Sequence, residues 1–388
     1  MTAFPYYETP DIAALNDQAV ILLKSFAARG YARHEPAILQ PADIFLDRSG
    51  EEIRRRTFTL TDPWGRELCL RPDLTIPICK HAVETHAKMP ARLCYNGLVF
   101  RHQPNAPDRP TQSWQAGAEL LGLAGTAAGD VEIATLAIEA LRAVGLKDFD
   151  VKVGDLALFG ALVDALDVPP QWRARLKRHF WRAGYFEQLL KRLTGGTSTD
   201  MRRLLASLRG LSDRETRETI EGLMDMVADA PQGLRTREEI VERLMEQAAD
   251  EAALHLDPKT VQVITGLLDV SGAARWAMEE IRTQTKSAGI DLEAELARME
   301  ARLDALEALG IDPARITFAT HFGRNMEYYT GFVFELWSQG ADGAIEIAGG
   351  GRYDTLLEAI GAPPPSPAAG FAIHTDRLLA ARRFAGVV

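Results

Sequence analysis

The run LCYNGLVFRH at residues 93–102, followed by SWQAGAELL at residues 113–121, decides the fold class of this chain. The apolar and aromatic residues of each run, and the polar, proline-rich loop between them, predict two antiparallel strands. Because successive side chains of a strand point to opposite faces of a sheet, Gln115 and Glu119 share one face. Gly117 lies between them and is expected to leave space for a ligand above the sheet.

Arg101 follows the first of these strands, where its guanidinium is suited to bind a carboxylate or a phosphate through two parallel hydrogen bonds. Together with Gln115 and Glu119 it predicts a site for a small polar ligand on an open sheet. The pattern leaves one alternative open, which is a ladder of salt bridges on the surface.

Strand and helix signals alternate through the N-terminal region and return near the C-terminus. Residues 57–70 predict a hairpin, and residues 130–144 predict an amphipathic helix that Gly145 closes. Further strands are expected at residues 316–320, 331–337 and 344–347, and a strand that runs into a helix is expected at residues 370–381.

From about residue 160 to residue 310 the strand signals vanish, and Leu, Ala, Arg and Glu recur with helical spacing. Ser212 with Glu215, and Thr236 with Glu239, fit the capping box that closes the start of a helix. We therefore expect two parts: a mixed α+β core at residues 1–160 and 270–388, and a helical insertion at residues 161–269.

Composition limits the classes of function. The chain has 388 residues, of which 46% are hydrophobic, so it can bury two or three real cores. Its formal net charge of −10 argues against a nucleic-acid partner, because such binding depends chiefly on neutralising phosphates. No stretch approaches the roughly 20 apolar residues of a membrane helix, and no signal peptide is visible, so no membrane partner is expected.

The cysteines and histidines indicate no metal chemistry. Cys69, Cys79 and Cys94 lack the spacing of a CxxC motif, and the eight histidines include no HxxxH or HExxH pair. We expect reduced thiols in a cytoplasmic protein, with no cofactor and no metal site built by the protein alone.

A second polar cluster lies in the run LRPDLTIP at residues 70–77. Asp73 and Thr75 are two residues apart, and their side chains are suited to hold an ammonium group or an imidazole N–H. The alternative is a turn followed by a helix cap, since both residue types are good caps.

Two more clusters, which begin at Arg324 and at Gly349, lie beside aromatic residues in the sequence. Arg324, followed by Tyr328 and Tyr329, can supply a charge clamp and an aromatic wall for a planar ligand. The alternative is a loop arginine beside tyrosines of the core. The three glycines at 349–351, before Arg352, let the backbone approach a ligand closely, although a mobile turn is the alternative. They match neither GxGxxG nor GxxxxGK[ST], so neither a Rossmann site nor a P-loop is indicated.

Taken in order, these segments resemble the signature motifs of the histidyl-tRNA synthetase family, a class II aminoacyl-tRNA synthetase. The resemblance covers most of the chain outside the helical stretch and implies a class II synthetase-like antiparallel sheet flanked by helices. The matching segments are residues 36–51 for the dimer-forming first class II motif, 70–75 for Leu-Arg-Pro-Glu-x-Thr, 95–119 for the second motif, 324–331 for Arg-Gly-Leu-Asp-Tyr-Tyr, 349–354 for Gly-Gly-Arg-Tyr-Asp, and 370–378 for the third motif.

The resemblance also implies a histidine-binding site. Carried over position by position, and with Arg352 as a further neighbour, the histidine-binding residues are expected to be Asp73, Thr75, Arg101, Gln115, Glu119, Arg324, Tyr328 and Tyr329. No catalytic residue and no metal ligand is expected.

The departures from the family lie elsewhere. His102 begins the run that replaces a family glutamate before the ATP-binding loop, and His374 replaces a glycine that leaves room for the adenine. The chain ends eleven residues after Arg377, without the family's anticodon-binding domain. Because adenylation needs the nucleotide held accurately in line, we expect no charging of tRNA.

Regulatory paralogues of this family share these departures. The resemblance therefore implies a non-catalytic regulatory subunit that binds histidine as an effector, forms a homodimer within a hetero-oligomer, and joins a short-form ATP phosphoribosyltransferase catalytic subunit. Its role would be allosteric control of the first step of histidine biosynthesis. Two alternatives stay open: a truncated enzyme that forms an aminoacyl-adenylate, supported by Arg101 and Arg377, and an RNA-binding module of translation control.

Overall fold

A computed structural model of the chain describes residues 8–46, 54–103, 110–123, 126–180, 183–193, 212–226, 241–242, 244–245, 256–322 and 328–388. The chain divides into two compact units. The first comprises Met1–Ala165 with Gly266–Val388, and the second comprises Leu166–Thr265. All of the site residues predicted from the sequence belong to the first unit.

The strands are, in chain order, β1 (Ala32–Arg33), β2 (Leu39–Pro41), β3 (Phe58–Thr61), β4 (Glu67–Leu70), β5 (Ala91–Phe100), β6 (Gln112–Leu121), β7 (Asp150–Asp155), β8 (Ser271–Ala273), β9 (Ile316–Ala319), β10 (Phe332–Gly340), β11 (Gly343–Arg352) and β12 (Ala368–His374). Within the described residues, nine strands form one sheet in the order β1-β5-β6-β12-β11-β10-β7-β9-β8, and three form a second sheet in the order β2-β4-β3. The large sheet is antiparallel except for the β1/β5 and β7/β9 pairs.

The helices whose bounds the structure describes are α1 (Thr9–Ala28), α2 (Asp43–Leu46), α3 (Thr75–Glu84), α4 (Thr126–Ala143), α5 (Leu156–Ala165), α6 (Pro170–His179), α7 (Ala183–Leu193), α8 (Asp213–Met226), α9 (Pro258–Leu268), α10 (Ala274–Ser287), α11 (Glu293–Ala308), α12 (Asp354–Ala359) and α13 (Thr375–Phe384). Helices α6 to α8 lie in the second unit. None of the described helices is long and apolar enough to cross a membrane.

The elements around the predicted site follow the sequence closely. Strands β5 and β6 pair antiparallel, with Tyr95 opposite Gly117, and β3 and β4 form the predicted hairpin. Helix α4 is followed by Gly145 at φ 91°, a left-handed backbone conformation that glycine adopts without steric cost. The α+β class and the antiparallel frame predicted from the motifs are confirmed.

Helix α11 shows why the helical segments form. Its buried side chains include Leu296, Met299, Leu303 and Leu306, spaced three or four residues apart, so one face of the helix packs into the core. Gly310, at φ 79°, follows this helix in a left-handed backbone conformation. Burial of that apolar face supplies most of the stability of such a helix, because short isolated helices are marginal in water.

The helical stretch confirms one predicted capping box and contains one short strand that was not predicted. Ser212 donates its backbone N–H to Glu215 Oε2 at 2.8 Å, while its own hydroxyl accepts the N–H of Glu215 at 3.4 Å, which is the reciprocal capping box. The second predicted box, Thr236 with Glu239, lies outside the described residues. The short strand β8 interrupts the stretch in which no strand was expected, and it pairs antiparallel with β9.

Strand β11 is longer than predicted. It includes the three glycines at 349–351, each paired with a residue of β10, so they do not form a mobile turn. An added Cβ at Gly350 would overlap the carbonyl oxygen of Gly370, and one at Gly351 would overlap that of Phe332. These glycines therefore let neighbouring strands of the sheet pack closely.

Candidate ligand-binding site around Glu119

Glu119 is the centre of a buried polar cluster in the large sheet. Its carboxylate accepts hydrogen bonds from the Thr75 hydroxyl at 2.7 Å, from the Tyr95 hydroxyl at 3.2 Å, and from the Tyr353 hydroxyl. Glu119 itself is fully buried on β6, and Thr75 is the first residue of α3. We call Asp73, Thr75, Tyr95, Glu119 and Tyr353 the Glu119 cluster.

Two glycines make room for this cluster. Gly117 lies opposite Tyr95, and a Cβ there would come within 2.5 Å of the Tyr95 hydroxyl oxygen. Gly370 lies opposite Glu119, and a Cβ there would overlap the Glu119 carboxylate. The space predicted for a ligand beside Gly117 is thus occupied by Tyr95, so that detail of the prediction was wrong. The glycine makes room for a side chain that holds Glu119.

Burial raises the pKa of Glu119 to about 8, even though the hydroxyls of Tyr353, Thr75 and Tyr95 favour its charged form. The donors around it are neutral, and neutral donors compensate for lost hydration less than an opposite charge does. The carboxyl of Glu119 is therefore largely protonated at neutral pH. A cationic or N–H-bearing ligand would supply the stronger partner that it lacks.

Asp73 supplies a second carboxyl on the same side. Its Oδ1 accepts the backbone N–H of Ile76 at 3.0 Å, so it caps the start of α3, as the alternative prediction had it. Its Oδ2 is buried and has no hydrogen-bond partner among the described residues. Burial raises the pKa of Asp73. An unsatisfied buried acceptor costs about 1–3 kcal/mol, so this oxygen marks a position for a ligand donor.

An aromatic wall adjoins the cluster. Tyr328 and Tyr329 are partly buried, their ring centroids are 4.8 Å apart, and both pack against the core that contains Tyr353. The Tyr328 ring meets the Tyr353 ring edge-on at 5.8 Å between centroids. The tyrosines thus lie in the core, as the alternative prediction had it, and also border the Glu119 cluster. Arg324 lies outside the described residues.

Two other predicted residues sit at the margin. Arg101 donates from Nε to the carbonyl oxygen of Pro72 at 2.6 Å, and its charge lowers the pKa of Asp73 against the effect of burial. Gln115 is buried and places its Nε2 3.4 Å from Nδ1 of His374. Because Gln115 and Glu119 are both buried, the alternative of a surface salt-bridge ladder is excluded.

His374 belongs to a separate polar group on β11, β12 and α13. Its Nε2 lies 3.6 Å from Glu346 Oε1, and Arg377 Nη1 lies 3.0 Å from Glu346 Oε2. Burial opposes ionisation of Glu346, but His374 and Arg377 outweigh it and lower the pKa of Glu346 to about 2. Burial lowers the pKa of His374. Arg377 is therefore already neutralised by a carboxylate of the same chain.

Arg352 does not reach the Glu119 cluster with its side chain. It donates to Asp130 at 2.8 Å and to Asp354 at 2.8 Å. Asp130 also pairs with Arg302, which in turn binds Asp155 at 2.9 Å. The guanidinium of Arg352 thus lies in a buried ion network, and contact between Arg352 and a ligand stays a prediction. We call Asp130, Asp155, Arg302 and Arg352 the ion network.

The sequence reasoning did not identify Tyr95 and Tyr353 as site residues. Both are fully buried, and both donate a hydroxyl to Glu119. Tyr353 follows Arg352 in the glycine-rich motif, and Tyr95 is the first residue of the segment that resembles the second class II motif. For Tyr95, a central strand position predicts a core residue equally well.

The residues suited to other ligands are few. A cleft of about 370 Å³ lies between the β1–β2 connection and α3, and its lining includes His34, Lys80 and His81 but none of the predicted site residues. Among the described side chains, no group of three or more His, Cys, Asp and Glu residues is arranged to hold a metal ion. The three cysteines are free and buried.

Comparison with known proteins places this geometry in a family. The family model for histidyl-tRNA synthetase matches residues 8–265 and 235–378. The ATP phosphoribosyltransferase regulatory subunit of Allorhizobium ampelinum is 36% identical over 97% of this chain and 99% of that protein. The protein of the same name from Brucella anthropi is 35% identical over 89% of this chain and 91% of that protein. The chain belongs to the ATP phosphoribosyltransferase regulatory subunit family.

Solved structures agree with the fold of this family. A Bacillus halodurans protein described as an ATP phosphoribosyltransferase regulatory subunit/histidyl-tRNA synthetase superposes with a TM-score of 0.67, at 24% identity, over 100% of this chain and 87% of the other. Histidyl-tRNA synthetase from Nostoc superposes with a TM-score of 0.62, at 14% identity, over 99% of this chain and 75% of the other. The histidyl-tRNA synthetase-like class II fold predicted from the motifs is confirmed.

Proposed function

We propose that this chain is the histidine-binding, non-catalytic regulatory subunit of ATP phosphoribosyltransferase, and that it controls the first step of histidine biosynthesis together with a short-form catalytic subunit. Support for the regulatory role comes from the names of relatives that are 35–36% identical over 89–97% of the chain. Support for histidine as the effector comes from the Glu119 cluster and from the motif resemblance.

The chemistry of the cluster suits histidine. An imidazole N–H or the ammonium group can donate to the unpartnered Asp73 Oδ2 and to Glu119, which otherwise has only hydroxyl donors. Tyr328 and Tyr329 offer aromatic surface for the planar ring. The remaining proposed contacts, which would complete recognition of the amino acid, are Thr75, Arg101, Gln115 and Arg324. The observation that carries this proposal is the buried Asp73 Oδ2, which has no hydrogen-bond partner within the part of the chain that the structure describes.

The group around His374 supports a non-catalytic role. A nucleotide phosphate would need a free cation, whereas Arg377 is paired with Glu346 at 3.0 Å. His374 and Gln115 contact each other beside this pair, so side chains rather than open space occupy the region. We therefore propose that the chain does not form an aminoacyl-adenylate.

For assembly, we propose a homodimer within a hetero-oligomer, with the helical insertion at residues 161–269 as an appendage of the core. No nucleic-acid partner is proposed, because the net charge is −10. Histidine can bias such an assembly only to the extent that it binds one quaternary state better than another.

The test measures phosphoribosyl transfer from phosphoribosyl pyrophosphate to ATP by the short catalytic subunit, with and without this chain, across a histidine titration. We expect the chain to raise the rate and histidine to suppress that rise. A rate that does not respond to the chain would overturn the regulatory role. A rate that rises but ignores histidine at millimolar concentration would overturn the effector assignment alone.

A matched pair of variants locates the sensor. Glu119→Gln keeps the size of the side chain and removes its capacity for charge, so the histidine concentration for half-suppression is expected to rise about tenfold or more. Glu84→Gln is the control, because Glu84 is an exposed residue of α3 whose ion pair with Lys80 spans 3.8 Å. Equal histidine responses of the two variants would contradict the site.

A further inference from the structure

The three residues Arg352, Tyr353 and Asp354 contact both sides of the site. Tyr353 donates its hydroxyl to Glu119. The backbones of Arg352 and Asp354 form hydrogen bonds with Thr330, which directly follows Tyr329 in the chain. Thr330 donates its N–H to the Arg352 carbonyl oxygen at 2.8 Å, and its hydroxyl accepts the Asp354 N–H at 3.0 Å. One short segment thus connects the carboxyl side and the aromatic side.

This segment is itself anchored in the interior. The Arg352 guanidinium binds Asp130 of α4 and Asp354, and the two carboxylates raise its pKa against the effect of burial. Asp354 Oδ1 also accepts the backbone N–H of Ala368 at 3.1 Å, and Tyr353 donates its N–H to the Ala368 carbonyl at 2.8 Å. A hydrogen-bonded network that includes the buried Arg352 and Asp130 allows little displacement of the segment.

Gly331, which follows Thr330 and precedes β10, is held by a backbone hydrogen bond of its own. The carbonyl oxygen of Gly331 accepts the N–H of Leu156 at 3.1 Å. Between the tyrosine pair and the start of β10 at Phe332, Thr330 supplies the side-chain hydrogen bond, since Gly331 has no side chain. An alcohol at this position accepts a hydrogen bond that no aliphatic side chain can accept.

We propose that Thr330 and the segment 352–354 form a clamp that positions Tyr328 and Tyr329 relative to Glu119, and that this clamp sets the affinity of the site for its imidazole-bearing ligand. The inference rests on the proposed histidine site. Thr330, Arg352 and Asp354 act as positioning residues, because they fix the tyrosines and Tyr353 rather than touching the ligand themselves.

The first test compares Thr330→Val with Thr330→Ser by calorimetric titration of histidine into the full chain. Valine matches threonine in shape but leaves the Asp354 N–H without its acceptor, whereas serine keeps the hydroxyl. We expect the Kd to rise about tenfold for the valine variant and to stay within about twofold of the parent for the serine variant. Equal affinities of all three proteins would overturn the clamp.

Hydrogen exchange gives a second test of the clamp that does not depend on histidine binding. The Asp354 N–H lies in the first turn of α12, where it has no partner within the helix, so Thr330 Oγ1 is its acceptor. Hydrogen exchange of peptides spanning residues 350–358 is expected to accelerate about tenfold in Thr330→Val and to remain slow in Thr330→Ser. Unchanged exchange in the valine variant would overturn the clamp even if no histidine bound.

A double-variant cycle tests whether the two sides share one support. Tyr353→Phe removes the hydroxyl that reaches Glu119, and Thr330→Val releases the tyrosine side. If one segment holds both, the combined loss of histidine affinity falls short of the product of the single losses. A fully multiplicative loss would show independent sides and overturn the clamp. If the parent chain fails to bind histidine, the proposed function is wrong. The hydrogen-exchange measurement then still tests the clamp, because it does not depend on histidine binding.

Discussion

Two buried polar regions of the same unit meet the cost of burial in opposite ways. In the ion network, Asp130 has two arginine partners at 2.6 and 2.8 Å, so opposite charges replace part of the lost hydration, although burial still raises the pKa of Asp130. In the Glu119 cluster, the donors are hydroxyls, and one oxygen of Asp73 has no partner among the described residues. The difference separates a region in which carboxylates pair with arginines from one in which the donors to the central carboxyl are neutral hydroxyls.

Breaking the ion network is expected to have the largest effect. Asp130→Ala removes the carboxylate that Arg302 and Arg352 share and leaves each arginine with one carboxylate, Asp155 or Asp354. Removal of one partner of a buried pair costs about 3–5 kcal/mol. Urea unfolding measures the loss. The control is Asp304→Ala at the exposed Arg275 pair, where about 0–1 kcal/mol is expected. Similar losses in the two variants would contradict the assignment of the network to stability.

Filling the Glu119 cluster is expected to cost less. Gly370→Ala places a methyl group where the Glu119 carboxylate lies, and overpacking of a core costs about 1–3 kcal/mol. Histidine affinity should fall with it, because Glu119 must move. Gly160→Ala is the matched control, since an added Cβ there meets no atom within 4 Å and alanine favours the helix. A Gly370→Ala protein with parental stability would show that the carboxylate relocates freely.

The pH dependence of stability sharpens the comparison. The pKa of Glu119 is raised to about 8 in the folded chain, from an ordinary value of 4.5. Between these pH values the folded state holds a proton that the unfolded state has lost. This contribution to stability is therefore present below pH 4.5, and it falls by about 1.4 kcal/mol per pH unit until pH 8.

The measurement is the difference in unfolding free energy between the parent and Glu119→Gln at several pH values from 5 to 8. Glutamine cannot ionise, so the parent should lose stability relative to the variant as the pH rises. A constant difference across this range would contradict the raised pKa.

The smallest expected effect concerns the group around His374. Glu346→Gln removes the charge that neutralises Arg377, and we expect weak gain of phosphate-anion binding, by about threefold to tenfold, without gain of adenylate formation. Titration with inorganic pyrophosphate measures it. If the parent chain already binds pyrophosphate as tightly as the variant, Arg377 is not neutralised by Glu346.

Much of the site could be predicted from the sequence because its local parts are encoded locally. Gln115, Gly117 and Glu119 alternate on one strand, and Asp73 stands two residues before the start of α3, so both the strand face and the helix start could be predicted. The prediction failed at Gly117 because alternation tells which face a residue is on but not which side chain fills the space above it.

The sequence by itself determined the strands that carry the motifs, the order of the motifs and the family, since periodicity and motif spacing are properties of neighbouring residues. Only the tertiary structure decided that Tyr353 reaches Glu119 across 234 positions of the chain, and that Arg352, one residue earlier, turns instead to Asp130. The physical reason is that burial and hydrogen-bond partners depend on which strands pack side by side. Strand packing distinguishes a carboxyl surrounded by hydroxyls from one paired with arginines.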